Sequence, residues 1–235
     1  MVARARDSSR PDSVPRPLIP QDVQGDELER SVLAELRSLP DTLAKKVAQH
    51  LVMVGRLIEE DASEALAHAR AARDLAPRVA ILRETFGVAA YAAGDYGVAV
   101  QELRAARRIS GNEDLLPLIA DCERGLGRPE KALDIVASAP RRLPAETAIE
   151  LLIVGAGARR DLGDPEAAVM LLQRDELHAP VGPAWLARLR FAYADALQAA
   201  GRGDDAIRWF TLADEADVDE ALIWPAPDDI GEPQE

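Results

Sequence analysis

Five alanines, Ala65, Ala99, Ala132, Ala168 and Ala206, recur at spacings of 34, 33, 36 and 38 residues. Five residues before each stands a turn residue: Glu60, Gly94, Gly127, Gly163 and Gly201. Twelve residues after the first four stand Pro77, Gly111, Pro144 and Pro180. A period of about 34 residues with a turn in its middle and a breaker at its end predicts a stacked array of helix-turn-helix units. Each unit carries an apolar face that only a neighbour can bury, so the core is a strip that lengthens with the chain.

Apolar residues recurring every three to four positions predict helices over 27–39, 42–59, 63–75, 79–93, 96–109, 113–126, 129–139, 145–162, 165–177, 183–200 and 204–216. Asp26 and Asp41 are expected to cap the first two, and Pro40 to stop the first. Pro129 and Pro165 fall in first turns, where a missing N–H costs nothing. Residues 1–24 hold four prolines among scattered Arg and Ser, a composition that predicts a disordered arm. Residues 25–40 read as a capping half-repeat, 41–222 as the repeat array and 223–235 as an acidic flexible tail.

Tight helix crossings need small side chains. Ten residues before the anchors stand Gly55, Ala89, Cys122, Ala158 and Ala196; twelve before stand Met53, Gly87, Ala120, Ala156 and Ala194. Seven after stand Ala72, Ala106, Ala139, Asp175 and Ala213. Bulkier Leu66, Val100, Leu133, Val169 and Ile207 follow the anchors directly, so small and large positions interlock. Cys122, in a small slot, is expected in the core, and a single cysteine excludes an intrachain disulfide. Trp209 is also expected in the core.

In TFGVAAYAAGDYGVAVQELRAARRISG, the residues Gly87, Tyr91, Gly94, Asp95, Tyr96, Ala99 and Ala106 resemble the pattern of the tetratricopeptide repeat family. GLGRPEKALDIVASAP and AGRGDDAIRWFTLADEA match it less fully, and the resemblance covers about residues 42–218. The aromatic usual late in the family's first helix is replaced by Arg56, Ala90, Glu123, Arg159 and Leu197. The resemblance implies an all-α, right-handed solenoid of about five repeats with an N-terminal half-repeat. It also implies a concave groove, lined by the first helix of each pair, that binds a protein or peptide. Three lysines beside many arginines and abundant alanine suggest a high-GC genome, and the chain is similar to actinobacterial members of the family.

By that phase the partner-binding groove carries Glu84, Tyr91, Asp121, Arg124, Arg160, Arg188, Phe191 and Asp195. Val47, His50, Val54, Leu57, Asp114 and Ile153 are expected on the same surface. The Lys/Asn/Arg clamp by which some members hold a chaperone's terminal carboxylate is absent from the matching positions. The chain is therefore read as a non-catalytic adaptor or scaffold, the alternative being a structural protein that self-associates through its solenoid ends. A loose tail is the plainer reading of the arm; the other places Arg16, Leu18 and Ile19 in the chain's own groove. Trp224 is expected to cap the last repeat or to serve as a docking motif.

Other functions lack residues to support them. His50, His68 and His178 lie far apart in sequence and lack zinc-ligand spacing, so no metal is expected. No phosphate-binding loop or nucleophile elbow is present, and Gly155-Ala156-Gly157 falls at packing positions, so neither a cofactor nor catalysis is expected. The net charge of −13, with nine acids and no base from Asp214 onward, opposes nucleic-acid binding. Neither a signal sequence nor a membrane-spanning run is visible, and a cytoplasmic location without membrane attachment is expected.

Overall fold

The computed structural model describes residues 16–179 and 182–216. Among them every regular element is helical. The chain divides into two compact units, Met1–Ala93 and Gly94–Glu235. The expectations for the acidic tail and Trp224 lie outside the described residues.

The first unit contains α1 (Arg30–Leu36), α2 (Asp41–Leu57), α3 (Ala62–Leu75) and α4 (Ala80–Ala92). Asp26 does not cap α1. Instead the Glu27 carboxylate accepts from the backbone N–H groups of Gln24 and Gly25, and helix begins only at Arg30. Asp41 is the first residue of α2, with Pro40 before it, so its side chain makes no cap bond. Asp61 does cap α3, accepting from Glu64 N–H at 2.9 Å.

Two apolar clusters meet on α2. Leu36, Val47, Ala48, Leu51, Ala72 and Leu82 form one; Val23, Val52 and Met53 form the other, with Ile19 and Leu28 against it. Residues 16–24, expected in a loose arm, thus pack on α2, and Val23 is fully buried. Gln49 donates to Val23 O at 2.8 Å and Arg56 pairs with Asp22 at 2.7 Å. Leu18 remains exposed. With α3 on one side of α2 and this segment on another, Val47, His50 and Val54 are buried. The expectation that they line an exposed groove is corrected. Gly55, expected at a helix crossing, is exposed with no atom near its missing side chain.

The second unit contains α5 (Tyr96–Ser110), α6 (Leu116–Gly125), α7 (Pro129–Ser138), α8 (Ala145–Asp161), α9 (Pro165–Leu172), α10 (Trp185–Ala199) and α11 (Gly203–Ala216). Each helix packs against its successor except that α9 meets α10 across a longer connection; α6 also packs on α8, and α8 on α10. The first helices α6, α8 and α10 therefore lie side by side.

The helix turns repeat in detail. Gly127 and Gly163 adopt left-handed φ values of 67° and 76°, which glycine enters without penalty. Gly127 N–H donates to Arg124 O at 2.7 Å and Arg128 N–H to Glu123 O at 2.9 Å. Gly163 and Asp164 repeat these bonds on Arg160 and Arg159 at 2.8 and 2.9 Å. The two bonds satisfy terminal carbonyls and fix the exit angle of the chain. Asp95 and Asp164 then cap α5 and α9, and Pro129 and Pro165 open α7 and α9.

Two expected helices are interrupted. Asn112 caps a 3₁₀ turn, Glu113–Leu115, before α6 begins. After Leu172 the backbone at Gln173 is extended, and a second 3₁₀ turn follows at Asp175–His178. Asp175 consequently leaves the small-residue helical slot assigned to it. Arg190 explains the break: its buried guanidinium donates to Leu177 O at 3.1 Å, to Leu212 O at 3.0 Å and to Ala179 O. The carbonyls of Leu177 and Ala179, outside any α-helix, join that of Leu212 on α11 in satisfying this buried cation.

Candidate functional site

Helices α6, α8 and α10 bring Asp121, Arg124, Arg160, Arg188, Phe191 and Asp195 onto one strip of the second unit. The charged members engage one another's helices. Arg124 on α6 grips Asp161, the last residue of α8, with Nε at 2.8 Å and Nη2 at 3.2 Å. Its Nη1 donates to Asp121 at 2.8 Å, one turn earlier on α6. Two N–H groups on one carboxylate use the fork geometry that makes Arg–carboxylate pairs strong. Burial opposes the charge on Arg124, but Asp161 and Asp121 outweigh it and hold the guanidinium above its ordinary pKa.

Further along the strip, Arg160 on α8 pairs with Asp195 on α10. In the opposite sense, Arg188 on α10 pairs with Glu150 on α8. Burial raises the Glu150 carboxyl above its usual range, and Arg188 partly reverses this. Thr147 on α8 donates to Asp114 in the turn before α6. The separations in sequence, 33, 35, 37 and 38 residues, are each close to one repeat. The strip is thus a ladder of polar contacts between corresponding parts of successive repeats.

Gly157 makes room for the first rung. A Cβ there would lie 2.5–2.9 Å from the Arg124 guanidinium atoms, so the side chain crosses α8 directly over the glycine. Phe191 differs from its neighbours on the strip. It is 44% exposed and meets the Phe210 ring edge-on at 5.2 Å between centroids. Glu84 and Tyr91 stand on α4, in the other unit, and are partly buried there.

Sequence reasoning missed the acidic partners Asp161 and Glu150, although each lies one repeat from its arginine. It also missed Glu123, buried on α6 and held by Arg104 of α5 at 2.8 Å. Two histidines that are distant in sequence meet in the core. His50 on α2 and His68 on α3 are fully buried with their Nδ1 atoms 3.0 Å apart, and neither Nε2 has a hydrogen-bond partner. Burial, then the neighbouring His68, pushes His50 down to about 4, and burial also lowers His68.

Cys122 lies in the core as expected, and burial pushes its thiol up to about 12, far from a reactive thiolate. Among the described residues no group of three or more His, Cys, Asp or Glu is placed to hold a metal ion. No described helix is long and apolar enough to cross a membrane. No family model and no curated protein matches the chain.

Proposed function

We propose that this chain is a non-catalytic adaptor or scaffold, a tetratricopeptide-like solenoid that binds a protein or peptide in the cytoplasm. The partner lies along α6, α8 and α10. The observation that carries this reading is Phe191, a large exposed aromatic set among polar side chains already fixed by the ladder. An aromatic anchor surrounded by satisfied polar groups is the usual anatomy of a binding hot spot. Side chains held before binding lose little further freedom on binding, which favours affinity. The paired arginines and carboxylates give Phe191 a fixed polar surround and do not act as unpaired charges.

Immobilised wild type and Phe191→Ser, incubated with lysate of the native source and read by mass spectrometry, test the reading. The variant is expected to keep its thermal midpoint and lose a partner that the wild type retains. Equal retention by both would place the interaction elsewhere and overturn the assignment of the strip.

A further inference from the structure

Among the described residues, α10 and α11 leave an apolar patch uncovered at the end of the second unit. Ile207 on α11 is 66% exposed; Phe210, one turn later, is half-buried beneath it and meets the exposed Phe191 of α10. These three side chains are contiguous because Ile207 and Phe210 share a face of α11 at i and i+3. Exposed Arg208 lies beside Ile207. An aromatic and aliphatic cluster of this kind marks a docking surface.

We infer that the chain's own segment Leu222-Ile223-Trp224 docks on the patch formed by Phe191, Ile207 and Phe210. The patch shares Phe191 with the strip proposed for the partner, so segment and partner compete for that ring, and the test below reads the segment's contact alone. Reach supports the occupant. The described part of α11 reaches Ala216, nine residues after Ile207. That stretch of helix is about 13 Å long at about 1.5 Å per residue. The eight residues from 217 to 224 span up to about 26 Å extended, enough to turn and run back along α11. Chemistry supports it as well. Leu222, Ile223 and Trp224 are consecutive apolar residues, and Asp217, Asp219 and Glu220 precede them with charge opposite to Arg208. Tethering also gives this segment a high local concentration that a second copy must match in free solution.

Disulfide trapping tests the contact without touching the patch. Thr211→Cys, an exposed position on α11, is combined with Ala226→Cys in the full chain. The control combines Thr211→Cys with Gln234→Cys. Cys122 is buried and does not compete. Oxidation by oxidised glutathione is followed at low protein concentration. An undocked tail closes the shorter loop only about twofold faster, from the three-halves power of loop length. Docking is expected to raise that ratio above about tenfold, and Trp224→Ser in the same background to return it to about twofold. A ratio of about two without that substitution overturns the inference, as does a high ratio that survives it. Predominant covalent dimers would show a second copy on the patch and would also overturn it.

Discussion

Neutral His50 and His68 hold one hydrogen bond across 3.0 Å, so one ring presents an N–H and the other a lone pair at Nδ1. A further proton places a charge in the core of the first unit. Unfolded histidine titrates near 6.5, whereas His50 in the folded chain is pushed down to about 4. The unfolded state therefore binds more protons between these values. Stability is full above the unfolded pKa and falls as pH drops toward the folded one, by about 3 kcal/mol across the window. Urea midpoints from pH 7.5 to 4.5 should decline more steeply for wild type than for His50→Leu/His68→Leu; parallel declines would count against this account. At Gly157 a methyl group meets the movable end of Arg124. Gly157→Ala is expected to change stability by less than about 1 kcal/mol, because the helix-propensity gain offsets a disturbed ion pair. A crystal structure of the variant should show Arg124 displaced from Asp161. Neither effect was legible in sequence, since the histidine spacing spans two helices and the Gly157–Arg124 contact spans two repeats.

At the scale of elements, apolar periodicity and the repeat positions located the eleven α-helices of the described residues, because turn geometry and small-residue packing act over a few residues. Ala99 is fully buried in α5, as its phase requires. Ala99→Leu should lower the unfolding free energy by about 1–3 kcal/mol through overpacking, and an unchanged denaturation midpoint would disprove that environment. The end of α9 was not legible. It is set by Arg190, thirteen residues beyond Leu177, and such a contact leaves no periodic trace. Arg190→Met should remove three carbonyl partners and cost about 2–4 kcal/mol in chemical denaturation. The loss should be accompanied by faster amide exchange in Asp175–His178 than elsewhere in the second unit. The docking of residues 16–24 escaped for a similar reason: one valine in a proline-rich, charged segment carries little sequence signal, yet Val23 fills a slot against Val52 and Met53.

For the whole molecule, the two units should respond differently to acid, since the buried histidine pair belongs to the first alone. Hydrogen exchange at pH 5 should accelerate in α2 and α3 before α8 and α10, as expected for units that open separately. Simultaneous acceleration would mean that the units unfold as one. The candidate strip was legible as a set of positions, but the sequence did not reveal that its charges face each other. The ladder also bears on how such a chain can change length. Arg124 and Arg160 each stand eight residues before an anchor, while Asp114, Glu150 and Arg188 each stand eighteen before one. Excision of the 36 residues after Ala132, through Ala168, would bring α10 beside α6 in the same phase. Arg124 would then face Asp195, and Arg188 would face Asp114, each meeting a group of the sign it already prefers. The central repeat is in this sense a cassette: its two borders use different partners but carry compatible charge signs at these positions, so a copy can be lost or gained without bringing like charges together.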